Sequence, residues 1–384
     1  MMQSKVTFAM RVTVLLAMFA EVRMVQSELW INPLFESFAT AGLSGNGGFV
    51  RLKDGSLMIV EGSATRTSND NGKTWSGSHP MIFAGQEPGI PQRGPMVRTS
   101  DGVIVMVYQD LKSYHWEWDD SKGEAINPRF DVWTIRSLDD GKTWVDRQMI
   151  LEGYCGALED IIQTKSGHIV VPVQQYIPNP ARHGTCTHVS VDNGRTWRRS
   201  NLIDMGGVGA HDGAFEATLV ELKDGRLYML LRTSWDRFWE AYSWDKGLSW
   251  RQVGPSNIPT GSSSGCLTRL ASGRIALVWT SPSPGGKPRP LAEVLSKPPP
   301  LKASEYFYIT PHPSLGVRQV SIMFSEDETK TWTRPVVIGR ESIENAGLRY
   351  VYLFEPEPGL LWISSGGSHS GIAVSGREAD LVEE

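Results

Sequence analysis

The chain has only three cysteines among 384 residues, Cys155, Cys186 and Cys266. They supply no disulfide framework and no C-x-x-C metal spacing, so they read as small buried hydrophobes. The eight histidines include no H-E-x-x-H pair, and the glycine-rich turns do not lead into helices as phosphate loops do. Neither a metal centre nor an organic cofactor is implied. Charge of one sign is lacking too: Lys+Arg 38 nearly balances Asp+Glu 42, for a net charge of −4. No basic stripe suited to phosphates appears, which argues against nucleic acid as a partner. The one apolar run, VTVLLAMFA at 12–20, is too short to span a bilayer. Sustained helical periodicity is also missing.

That short run has a reading of its own. Lys5 and Arg11 precede or flank it, and Val25-Gln26-Ser27 offers small residues at −3 and −1 of a cleavage site. Residues 1–27 therefore read as a secretory signal, implying a secreted or periplasmic protein, with a disordered or core-packed leader as the alternative. Residues 28–384 are expected to form one domain, and 40% hydrophobic residues support a sizeable core.

What the chain has in abundance is turns and large aromatics: 39 Gly, 23 Pro and 14 Trp. The octet SNDNGKTW (68–75) returns as SLDDGKTW (137–144), SVDNGRTW (190–197) and SWDKGLSW (243–250), and in worn form as SEDETKTW (325–332). Ser and Asp bond neighbouring backbone N–H groups, Gly takes positive φ, and Thr-Trp begins a strand whose indole packs inward. The copies are spaced by 69, 53, 53 and 82 residues, and periods near fifty point to propeller blades. A second repeat agrees. Six apolar strand pairs meet at DG, SG or PG turns whose glycines are Gly55, Gly102, Gly167, Gly225, Gly273 and Gly359. Five of these hairpins are followed by an octet, so six blades of four strands are expected. The last blade needs closure, from SELWINPLF near the N-terminus or from GIAVSG (371–376). The octets are turns, not chemistry.

Nine residues before each turn glycine stand Asn46, Arg93, Leu158, Glu216, Ser264 and Tyr350. Five of the six are polar at the start of otherwise apolar inner strands. Polar groups converging on the axis of a propeller make a pocket.

The octet resembles the Asp-box of the sialidase (neuraminidase) superfamily, all-β proteins built as six-bladed β-propellers, and the similarity runs over about residues 40–375. FEATLVELKDGRLYMLLRT (215–233) resembles the stretch in which a glutamate opens a strand and an arginine closes its partner, matching Glu216 and Arg232. Tyr350-Val-Tyr-Leu before a PG turn resembles the stretch with the family's tyrosine nucleophile, and Arg318 is placed like its third arginine. The resemblance implies an exo-acting, retaining glycoside hydrolase releasing a terminal acidic sugar, sialic acid by default. Tyr350 would be the nucleophile, Glu216 its base, and Arg232 and Arg318 a clamp. A neutral hydroxyl suits attack beside a carboxylate, and planar guanidinium forks suit binding one. SGNGGFV (44–50) stands where the family has its first clamp arginine, and either Arg93, at the same offset in the second blade, or Arg66 is a candidate to replace it. For the general acid, Asp110 comes first and His115 and Glu117 follow, all in the aromatic-rich loop QDLKSYHWEWDDSKGE (109–124). His211 and Asp212, just before Glu216, are expected to touch substrate. Two further readings stay open: a related glycosidase on another terminal sugar, and a carbohydrate-binding propeller without chemistry. The Pro-rich stretch 281–304 accounts for the 82-residue spacing, as a lid or a surface decoration.

Overall fold

Each hairpin glycine takes a left-handed backbone, from Gly55 at φ 89° to Gly359 at φ 77°. The chain therefore reverses where the sequence places the turn, and the flanking strands pair antiparallel. The computed structural model describes residues 29–37, 48–85, 87, 89–92, 94–281, 289–296, 319–341, 348, 350–366 and 371–382. The described chain is nearly all β and forms six blades around a central axis. The innermost strands are Phe49–Arg51, Met96–Arg98, Ile162–Gln163, Phe215–Glu221, Gly265–Arg269 and Val351–Glu357. The expected leader, Asn46, Arg93, Arg318 and most of 281–304 lie outside the described residues. Of that Pro-rich stretch, Arg289 is clamped to buried Asp236 of blade 4 by bonds of 2.7 and 2.9 Å. A short helix, Leu291–Ser296, follows it. No described helix is long and apolar enough to cross a membrane.

The core lies between blades rather than on the axis. Each pair of neighbouring blades encloses its own apolar cluster, as with Val105, Val171 and Cys186 between blades 2 and 3. The axis holds a channel of about 500 Å³, lined by residues of all six inner strands. Inner strands have an unpaired edge there, and side chains from neighbouring blades cover it. Phe49 N donates to Tyr352 Oη at 3.1 Å, Leu219 N to Asp160 Oδ2 at 2.9 Å, and Leu267 N to Thr218 Oγ1 at 2.9 Å. A buried N–H left without an acceptor would cost about 1–3 kcal/mol, so these bonds tie blade to blade.

The octets join the third and fourth strands of blades 1 to 5. In each, the aspartate accepts from the backbone N–H and the hydroxyl of the residue four positions on, at 2.6–2.9 Å. The octet glycine has a second duty that its φ alone does not reveal. It lies against the second strand of the preceding blade: Gly72 on Trp362, Gly141 on Met58, Gly194 on Val105 and Gly247 on Val170. The worn fifth copy carries Thr329 there, at φ 69°. Thr329 and Trp332 line a cavity of about 640 Å³ with Tyr228 and Tyr242 of blade 4. A side chain at the glycine position leaves the neighbouring blade less closely covered.

Closure of the last blade uses GIAVSG and the two residues just past SELWINPLF, while SELWINPLF itself pairs with blade 5. GIAVSG lies within the third strand of blade 6, Gly371–Arg377, and Glu36–Ser37 pairs with it as the fourth. Leu29–Ile31 adds a fifth strand to blade 5, and Phe35 between them is 5% exposed, buried in the cluster of blades 5 and 6.

Candidate active site

Glu216 and Tyr350 occupy equivalent places, each opening the inner strand of its blade, and both have left-handed backbones at φ 43° and φ 53°. For Glu216 the cause is visible. The pairing of Phe215–Glu221 with Leu227–Arg232 slips between Phe215 and Thr218, so one extra residue bulges out and Glu216 is re-aimed. Phe215 is paired directly with Arg232, which sets the guanidinium 4.7 Å from the Phe215 ring centroid. Arg232 Nη1 donates to Glu216 Oε2, and the same guanidinium is hydrogen-bonded to Tyr350. Burial works against its charge, but Glu216 and Tyr350 outweigh that and hold Arg232 protonated above its ordinary range.

These residues border a pocket of about 250 Å³, into which Glu216, Tyr350 and His211 all open. Trp116 and Tyr154, with ring centroids 4.5 Å apart, form an aromatic wall, and Gln174, His183 and Phe215 complete much of the rest. Burial, aided by Arg232, lowers the His183 pKa to about 4. The imidazole is therefore neutral, its Nε2–H donating to Ala210 O at 2.8 Å while Nδ1 accepts from Gln174 Nε2 at 3.0 Å. His183 thus anchors the loop that carries His211. Gly213 in that loop has φ 95°, and a Cβ there would overlap His183 O.

Of the residues expected from the sequence, Glu216, Tyr350, Arg232 and His211 are brought together. Asp110 is not. It is 2% exposed and caps the turn at Leu111–Ser113. Its carboxylate accepts from Ile90 N, Lys112 N and Arg147 Nη2, so the expectation of an acid is corrected to a structural anchor. Asp212 is corrected likewise, since it bonds Val208 N and Gly213 N at 2.9 Å within its own loop, away from the pocket wall. Arg66 is on the third strand of blade 1, bonded to Ser76 O, and does not approach the pocket. His115 and Glu117 are exposed, and Trp116 between them faces the pocket instead. Leu158 and Ser264 are buried. Trp116, Tyr154, Gln174 and His183 were not singled out by sequence reading. The one signal was the aromatic richness of 109–124. Among the described residues no group of three or more His, Cys, Asp or Glu side chains is placed to hold a metal ion.

Residues 66–363 match the family model described as BNR repeat-like domain. No curated protein matches the chain. Among solved structures, the NanB sialidase of Streptococcus pneumoniae is similar over 91% of this chain and 71% of its own, at 15% identity and a TM-score of 0.55. The α-L-arabinanase of Penicillium chrysogenum, complexed with arabinobiose, is similar over 93% and 100%, at 12% identity and 0.52. A protein of unknown function from Dyadobacter fermentans is similar over 91% and 96%, at 16% identity and 0.54. At these identities the likenesses speak for the fold.

Proposed function

The chain belongs to the BNR repeat-like domain family, and from that premise we propose that it is a sialidase-type glycoside hydrolase, retaining and exo-acting, that releases a terminal acidic sugar. The observation that carries the reading is one constellation: Tyr350 and Glu216 open into one pocket, and Arg232 is bonded to both. In this reading Glu216 takes the Tyr350 proton as the phenol oxygen bonds to the anomeric carbon and the bond from that carbon to the leaving oxygen breaks, the aglycone departing with a proton drawn from solvent. Water then attacks the anomeric carbon, the bond to Tyr350 breaks, Glu216 returns its proton to the Tyr350 oxygen and the water's extra proton passes to solvent. Arg232 favours the phenolate character that develops on Tyr350, and orients Glu216 in the resting site. The aromatic wall of Trp116 and Tyr154 suits the apolar face of a sugar ring. A pocket of about 250 Å³ suits one terminal residue rather than a long chain. Sialic acid is the default sugar, with Arg232 and Arg318 as the clamp on its carboxylate and Arg93 as the third arginine. A second reading, the same chemistry on another terminal sugar, draws support from the arabinobiose-bound likeness. Export, read from residues 1–27, belongs to the proposal as the route to an extracellular glycan.

The test is release of 4-methylumbelliferone from its α-sialoside and its α-L-arabinofuranoside. An aryl leaving group needs little help from an acid, so the assay isolates the nucleophile. Tyr350→Phe should lose about 10³-fold in kcat with its fold intact. Activity undiminished in Tyr350→Phe would sink the mechanism, and wild-type turnover of the arabinofuranoside alone would move the reading to the second sugar.

A further inference from the structure

We propose that Asp160, on the axial channel beneath the pocket, is a positioning residue that holds Glu216 in its working orientation through the bulge of its strand. This rests on the reading of Glu216 as the base.

The geometry runs as a short chain of bonds. Asp160 belongs to blade 3, two residues before its inner strand Ile162–Gln163, yet its Oδ2 reaches blade 4. There it accepts from Thr218 Oγ1 at 2.8 Å and from Leu219 N at 2.9 Å. Those are the residues at which the Phe215–Glu221 strand regains its register after the bulge. Asp160 Oδ1 accepts from Ile161 N at 2.8 Å, which fixes the carboxylate plane against its own backbone. Thr218 Oγ1 in turn accepts from Leu267 N of blade 5 at 2.9 Å. One carboxylate therefore pins the far end of the bulge to the blade on one side, and through Thr218 to the blade on the other.

The near end is pinned as well. Phe215 is paired with Arg232, and Ala214 N donates to His183 O at 3.0 Å. Glu216 and Ala217 are held between two fixed points, and a left-handed φ of 43° at a glutamate persists only where its surroundings over-determine it. Releasing the far end lets the extra residue relax toward an ordinary strand conformation, which swings the Glu216 carboxylate away from Tyr350. A displacement of about 1 Å in a catalytic group is enough to cost about 10²-fold in rate.

The experiment compares Asp160→Ala with Asp160→Asn. Asparagine keeps a carbonyl oxygen able to accept from both Thr218 and Leu219. On the aryl glycoside the wild type turns over, Asp160→Ala should lose about 10²-fold in kcat with KM changed less than about threefold, and Asp160→Asn should stay within about fivefold of wild type. A lowered thermal midpoint with unchanged kcat, measured well below that midpoint, would make Asp160 a blade staple only and overturn the proposal. Thr218→Val, which removes the hydroxyl but keeps the strand, serves if Asp160→Ala does not fold, and should lose about tenfold in kcat. A crystal structure of the variant decides without activity: Glu216 should leave the left-handed region and its bond to Arg232 should break. An unmoved Glu216 would also overturn it. A wild type inactive on every glycoside tried would count against the proposed function, and the structure of the variant would still decide for or against Asp160.

Discussion

Glu216 and Tyr350 both sit in a backbone conformation that costs a non-glycine residue about 1–2 kcal/mol. Their neighbours oblige them to, and Arg232 is the neighbour they share. The Arg232 and Glu216 side chains are 13% and 7% exposed, so removing the cation strands a mostly buried carboxylate. Arg232→Met should therefore lower unfolding free energy by about 3 kcal/mol in urea titrations, as well as abolish turnover; a loss under about 1 kcal/mol would mean the pair is solvated. The two residues were legible in the sequence because both stand nine positions before a turn glycine, a spacing that local structure enforces. Asp110 obeyed similar logic and misled, because its partner Arg147 comes 37 residues later and only the folded blade brings them together. The aromatic wall was illegible for a related reason. Trp116 lies between two charged or titratable residues on a loop, and nothing local says which of the three turns inward.

At the scale of the element, the octet explains why five turns share one sequence. Hydrogen bonds from the Thr74 hydroxyl and amide hold the Asp70 carboxyl down at about 2. Equivalent bonds keep Asp139, Asp192, Asp245 and Asp327 below their ordinary range, against burial in the first three. A carboxylate whose folded pKa lies below its unfolded value of about 3.9 stabilises the fold above that pH, and the benefit is lost as pH falls towards the folded value. Thermal midpoints should drop steeply between about pH 4 and 2, and Asp70→Asn should be less stable than wild type at pH 7 but approach it at pH 2. A gap that persists to pH 2 would assign the effect to something other than the charge. The octet glycines make a sharper case. Gly141→Ala places a Cβ against Met58 Sδ at φ 84°, whereas Gly55→Ala at φ 89° meets nothing within 4 Å. Backbone strain alone should cost Gly55→Ala about 1 kcal/mol, and Gly141→Ala about 1–3 kcal/mol more. Equal losses in the two variants would show that close approach of the blades plays no part. The turn was readable from sequence, but the approach was not, since Met58 belongs to another blade.

For the whole molecule, six blades were readable because each is a local unit: hairpin, octet and return strand follow one another in sequence. Ring closure is not local, and the sequence left two segments competing for it. The structure draws on both ends, because blade 6 lacks an octet and its third strand, Gly371–Arg377, leads into a short helix, Glu378–Leu381, instead of a fourth strand. The N-terminal segment supplies the fourth, Glu36–Ser37, and crosses to blade 5 at Leu29–Ile31. Asn32 fixes the crossing, its Nδ2 donating to Val337 O at 2.8 Å and its N to Ile338 O at 2.9 Å. Phe35 anchors it between the two blades, where Gly376 comes so close that a Cβ would lie 2.9 Å from the ring. A ring whose blades contact only their neighbours is weakest where its ends meet, so this latch should govern opening. Phe35→Ala should cost about 3 kcal/mol by leaving a cavity. Hydrogen exchange should then quicken first at Leu29–Ile31 and Gly371–Arg377, ahead of the strands of blades 2 to 4. Uniform acceleration across all blades would instead mean that the propeller opens everywhere at once, with the latch adding stability but choosing no place to open.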